Sequence, residues 1–236
     1  MNFFNVKTQL IIFPYDFKLS NINKLFINLL DDYEKVGINF KTDHSTYDDF
    51  IEDIKDNVPI IELHNENKNL SIIIGKNKID ISWINKDVKE VHLAEIKKQY
   101  SLIKKFIEIG GIKTIGYVTS NFLPSEQSNL KEKFINNLYH PDLNNMLLIL
   151  NYKKNLSIGK KSISFNKNIT IEQGLLHVDK NESKPGYLFK CDLNNLNEYI
   201  QNHKLEDEEV NSLIINFHNN NNFSKLKDFI DGKGQN

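Results

Sequence analysis

The 236-residue sequence contains no arginine; all 30 of its basic side chains are lysine. Guanidinium is the group that grips phosphate or carboxylate with two parallel hydrogen bonds. Any anion recognised here must therefore be held by lysine, backbone N–H groups or helix N-termini. Cysteine is almost missing. The single Cys191 cannot form an intramolecular disulfide, and no CxxC or Cys/His spacing builds a zinc site, which points to a reducing, cytoplasmic compartment. No apolar run approaches the ~18 residues of a membrane helix. The start MNFFNVKTQLIIF also lacks the basic region and small-residue cleavage site of a signal peptide, so no membrane association is expected. Also missing are the GxSxG, Walker, GxGxxG, HExxH and kinase signatures, so no catalytic residue, metal ligand or cofactor is predicted. A formal net charge of −1 gives nucleic acid no overall attraction and argues against it as a partner.

What is present is a chain long enough to bury one large core or two small ones. Asn occurs 34 times and, with Ile and Lys, dominates the composition, as an AT-rich genome would produce. Alternation predicts strands at Asn5–Phe13, Ile60–His64, Leu70–Ile74, Ile79–Ile84, Lys113–Phe122, Met146–Tyr152, Lys161–Phe165, Ile169–Leu176 and Tyr187–Asp192. The tetrapeptide GKNK, starting at Gly75, reads as a tight hairpin. Helical spacing predicts helices from Ser20 to a stop at Gly37, over Thr46–Ile54, over 88–109, near Ser128–Tyr139, around Glu206–Phe217 and around Ser224–Asp231.

These elements fall into two similar series, divided at residues 1–111 and 112–236. SNINKLFINLL at Ser20–Leu30 aligns with SNLKEKFINNL at Ser128–Leu138 with six identities at an offset of 108, and Val6-Lys7-Thr8 matches Ile112-Lys113-Thr114. The expected fold class is α+β, with pseudo-duplicated β-α-β(3–4)-α units forming a largely antiparallel curved sheet with helices on one face, packed as one globular unit. This layout resembles the saddle of the TATA-box-binding protein, and a related tandem layout occurs in small-molecule effector-binding domains.

The strand Thr114-Ile115-Gly116-Tyr117-Val118-Thr119-Ser120-Asn121 and the late strand Tyr187-Leu188-Phe189-Lys190-Cys191-Asp192-Leu193 carry a further likeness. Together with the element order, they resemble a sporadically distributed bacterial family of uncharacterised conserved proteins whose middle strand runs Arg-Ile-Gly-x-Arg-Tyr-x-Asn. Ile115, Gly116 and Asn121 are kept, and both arginines are absent. The resemblance implies an α+β protein of unassigned activity, associated with mobile elements or phage defence, and it supplies no catalytic residues.

Clusters of polar residues have ordinary explanations. His44 stands among Asp43, Asp48, Asp49, Glu52 and Asp53, where carboxylates suit the first turn and outer face of a helix better than a metal site. His64 alternates with Glu62 and Glu66 on a strand end, His140 and Asp142 flank a helix-stopping proline, and His92 and His218 are single residues on helices. Cys191 shares a strand face with Tyr187 and Phe189 and reads as a small buried residue. Trp83, alternating with Ile79 and Ile81, belongs to the helix-packed core, and Lys97, Lys98, Lys104 and Lys105 read as a solvated helix face.

If Thr8, Leu10 and Ile12 point toward the helices, then Lys7, Gln9 and Ile11 point away from them, and the repeat alignment places Lys113, Ile115 and Tyr117 likewise. Lys7, Gln9, Lys113 and Tyr117 are thus the candidate binding residues on the outer sheet face. The expected function is a non-catalytic binding or interaction protein, engaging a protein partner, a second copy of itself or a small molecule through that face or an inter-repeat groove. An enzyme acting on a nucleotide or other small anion with a lysine-centred site is the alternative, and a saddle-like nucleic-acid binder comes third.

Overall fold

Two long strands, β1 (Phe4–Pro14) and β8 (Ile112–Pro124), pair antiparallel at the centre of the molecule. They are seen in a computed structural model that describes residues 3–14, 17–18, 35–38, 59–65, 69–84, 90–106, 108–109, 111–127, 130, 147–158, 160–177, 183–195 and 204–231. On the β1 side lie β6 (Ile79–Ile84), β5 (Leu70–Gly75), β4 (Pro59–His64) and β3 (Lys35–Ile38). On the β8 side lie β11 (Ser183–Asn195), β10 (Lys161–His177) and β9 (Leu147–Ile158). The result is one antiparallel, curved, open sheet of nine strands in the order β3-β4-β5-β6-β1-β8-β11-β10-β9. Two further short strands, β2 (Phe17–Lys18) and β7 (Glu108–Ile109), pair with each other.

Residues from both stretches, before and after Gly111, enter the same sheet, and the strand order reads alike outward from the β1–β8 seam. Beyond β8 the strands follow in descending order, β11, β10 and β9, and beyond β1 they do the same, β6, β5 and β4, with β3 as one further strand at the edge. The aligned segments Ser20–Leu30 and Ser128–Leu138 lie outside the described residues except Leu130, as do the helices expected over them and over Thr46–Ile54, the His44 cluster, and His140 with Asp142. Gly37 does not end a helix. It lies in β3, opposite Glu62 of β4. The strands expected at Lys161–Phe165 and Ile169–Leu176 are one 17-residue strand, because the intervening Asn166, Lys167 and Asn168 keep the alternation and the ladder intact.

Three described helices cover one face: α1 (Leu93–Phe106), α2 (Asp207–Asn220) and α3 (Phe223–Ile230). The α1 stripe Ile96, Tyr100 and Ile103 is buried, as its spacing requires. At the start of α2, Glu206 N–H donates to the Glu209 carboxylate at 2.8 Å, half of a reciprocal capping box, and the buried Glu209 also meets Lys161 Nζ at 2.8 Å. Lys104 on α1 pairs with Asp207, so at least one lysine of the expected solvated face ties two helices together.

The core has two parts. Leu10, Ile12, Ile72, Ile81, Trp83, Ile115, Tyr117, Phe165 and Leu193 pack with the stripes of α1 and α2, including Phe165 against Phe217 at 5.3 Å between centroids. Phe3, Leu123, Ile169, Ile171, Phe189 and Cys191 pack with α3, and Phe3 meets Phe189 edge-on at 5.6 Å. Gly111 turns the chain into β8 with φ +117°, where a Cβ would stand 2.8 Å from the Lys204 side chain, so only glycine fits.

Candidate functional site

Opposite residues of an antiparallel pair share a face, so the register lists the outer surface strand by strand. One row crosses eight of the nine strands: Asn151, Asn168, Asp192, Val118, Gln9, Ser82, Ser71 and His64. Beside it runs Ile149, Thr170, Lys190, Ser120, Lys7 and Ile84, and beyond that Leu147, Glu172, Leu188, Phe122 and Phe4. The outer face is therefore polar along its middle row and apolar toward one end. Leu147, Ile149 and Ile84 at that end are 64%, 65% and 46% exposed. Phe122 lies flat instead, in the space left by Gly186, where an added Cβ would meet its ring at 2.5 Å and the Leu123 carbonyl at 2.3 Å.

Lys7 and Gln9 occupy this face as expected. Gln9 Nε2 donates to both Asp80 oxygens at 3.0 and 2.9 Å, and Ser82 Oγ donates to the same carboxylate at 2.8 Å. Asp80 is thus a buried carboxylate held by neutral donors. Glu62 and His64 do share a face and touch at 2.8 Å, while Glu66 lies outside the described residues.

Tyr117 and Ile115 are on the other face. β8 pairs Tyr117 with Leu10 and Ile115 with Ile12, both helix-facing, so the outward orientation inferred from the repeat is corrected. An offset of 106 residues, carrying Lys7 onto Lys113, preserves the parity of strand alternation, whereas the antiparallel register requires the opposite parity. Lys113 is the extra residue of a bulge, between Ile112 opposite Pro14 and Thr114 opposite Phe13, and is exposed for that reason.

A second polar region, missed in the sequence, lies under the helices. Helix-facing positions read Phe3, Asn5, Thr8, Leu10 along β1 and Tyr117, Thr119, Asn121, Leu123 along β8, so each strand is apolar, polar, polar, apolar. Asn5 and Thr8 share this face despite their spacing because Val6 is the extra residue of a bulge. Thr8 Oγ1 donates to Asn5 Oδ1 at 3.2 Å, Asn5 Nδ2 to Asn121 Oδ1 at 2.7 Å, and Asn121 Nδ2 to Thr119 Oγ1 at 3.3 Å. This chain of side chains separates the two apolar clusters.

Above it sits a small cleft lined by Asn5, Thr8, Glu90, Val91, Tyr117, Thr119, His218, Asn221 and Asn222. Its free space, about 10 Å³, is close to what a single water needs. Tyr117 Oη and His218 Nδ1 are 3.0 Å apart; burial pushes the tyrosine pKa up, as does the Glu90 charge, and burial pushes the histidine pKa down. Burial thereby favours the neutral imidazole, whose tautomer sets which of the two groups donates. Glu90 accepts the Phe223 N–H, and burial raises its pKa against that hydrogen bond and the charge of His92.

Cys191 and Trp83 are buried, as expected. Burial pushes the Cys191 thiol up to about 12, which suppresses the thiolate a nucleophile requires. Lys167, the lysine whose pKa burial lowers, donates to the Asn220 carbonyl at 2.7 Å and so closes the C-terminus of α2. Among the described residues no three His, Cys, Asp or Glu side chains converge as metal ligands, and no helix is long and apolar enough to cross a membrane. Comparison of the chain with protein-family models, with curated proteins and with solved structures finds no match.

Proposed function

We propose that this chain is a non-catalytic binding protein that engages a protein partner through the apolar end of its outer sheet face. The observation that carries this reading is the exposure of Leu147, Ile149 and Ile84 on rows that also hold Lys7, Lys190 and Glu172. Large aliphatic side chains flanked by charged ones suit a docking surface, with the apolar groups supplying affinity and the charges orientation. The same reading takes the alike strand orders on the two sides of the seam as the product of a duplicated unit, supported by the matching segments Ser20–Leu30 and Ser128–Leu138.

The test is affinity capture of the tagged protein from its native cells beside the variant Ile149→Asp. Replacing one anchor is expected to weaken capture about tenfold or more while leaving the urea midpoint unchanged. A partner retained equally by the variant, or no stoichiometric partner at all, overturns the reading.

A further inference from the structure

The cleft at the seam holds two groups that its surroundings leave uncompensated. Asn221 is 2% exposed, and its Nδ2 donates to the Cys191 carbonyl at 3.3 Å, while its Oδ1 has no hydrogen-bond partner among the described residues. Glu90 brings a half-buried carboxylate to the same lining, which contains no lysine. Two donors of the lining are engaged elsewhere. Thr8 gives its proton to Asn5, Asn5 Nδ2 is given to Asn121, and the Asn222 side chain is itself an acceptor for Lys225 N–H. The lining thus brings together several oxygens, one of them charged and one without a donor, beside the His218 imidazole and the Asn222 amide.

From this we propose that the cleft is a binding site for a small monovalent cation of the sodium, potassium or ammonium class, held by Asn221 Oδ1, the Glu90 carboxylate and the hydroxyl oxygens of Thr8 and Thr119. An anion would meet carboxylate and carbonyl oxygens and is excluded by charge. A divalent ion is disfavoured because its sites draw on several carboxylates and this lining has one. The free space, about 10 Å³, is of the size that one water or one small ion fills. Bound there, the ion would join the α2–α3 junction, which carries Asn221, to both central strands, so its occupancy would be read in the stability of the seam. The proposal is independent of the outer face.

The experiment measures the thermal midpoint of the full chain in sodium, potassium, ammonium and choline chlorides at equal ionic strength, choline being too large to enter. A saturating small cation is expected to raise the midpoint by about 3 °C or more over choline, and the ion with the largest rise names the occupant. Glu90→Gln should remove most of that difference, and Asn221→Asp, which adds a second carboxylate, should enlarge it. Crystals of the unmodified chain in a thallium(I) salt provide a reading that does not depend on either variant folding. An anomalous peak in contact with Asn221 Oδ1 supports the site. Its absence, leaving a water only, overturns the proposal whatever the midpoints show.

Discussion

The two wings of the sheet share a strand order but not a surface. In the wing beyond β1, strands β4, β5 and β6 are six residues each, and β5 and β6 are buried on almost every residue, including Ser71, Asp80 and Ser82 on the side away from the described helices. In the wing beyond β8, strands β9, β10 and β11 run 12, 17 and 13 residues, and β9 alternates strictly between exposed and half-buried over its first six. Place in the sheet therefore does not decide burial. The short wing is written in isoleucine with small polar residues that can be satisfied by neighbours, as Gln9 and Ser82 satisfy Asp80. The long wing sets Asn and Lys opposite one another across its outer side, where Asn151 donates to Asn168 and Ser164 to Asn155 at the exposed surface.

Removing one side chain from each wing should break this comparison most clearly. Ile81→Ala, at a position with no exposure, is expected to cost about 2–5 kcal/mol, whereas Ile149→Ala in the long wing should stay within about 0.5 kcal/mol. Urea unfolding of both variants checks this, and equal losses would show that the exposure difference has no energetic counterpart.

A subtler contrast lies within the long wing, where Gly174 and Gly186 face each other across β10 and β11. Gly186→Ala would drive a methyl group into the Phe122 ring and the Leu123 carbonyl and should cost about 1–3 kcal/mol, since backbone cannot step aside as a flexible side chain can. Gly174 has nothing within 4 Å of an added Cβ, so Gly174→Ala should be neutral or stabilising by up to about 1 kcal/mol. Thermal melts of the pair decide it; similar midpoints would mean that the sheet relaxes around residue 186.

The smallest effect sharpens the comparison through pH. Burial raises the Cys191 thiol to about 12 and the Tyr100 phenol to about 12, and raises Tyr117 as well. Each folded pKa lies above its unfolded value, so the folded state retains protons that the unfolded chain releases. That contribution is complete below about pH 8.5 and is lost as pH rises toward 12. Cys191→Ala should lower the midpoint at neutral pH through the small cavity it leaves, and should also flatten the decline between about pH 9 and 10, where the unfolded thiol ionises first. An unchanged slope in a urea titration at graded pH would remove Cys191 from that account.

Much of this fold was legible residue by residue. The stripe Ile96, Tyr100, Ile103 announced α1, and alternation placed Thr8, Leu10 and Ile12 under the helices and Cys191 beside Phe189. Tyr117 was misplaced because a sequence alignment carries strand parity from one segment to another, whereas the face of a strand is set by what it pairs with. Neither bulge, at Val6 or at Lys113, leaves a mark in the local pattern. The cleft was invisible for the same cause: Asn5, Asn121 and Asn221 are 116 and 100 residues apart, in a chain where Asn is everywhere and signals nothing by itself. Periodicity, charge and the lack of arginine are properties of neighbours or of the whole composition, and the sequence determines them alone. Which face Tyr117 takes, which two of many asparagines become a buried pair, and which isoleucines stay in water were decided only when β1 met β8. Cross-strand register is a contact between distant segments, and no local preference encodes it.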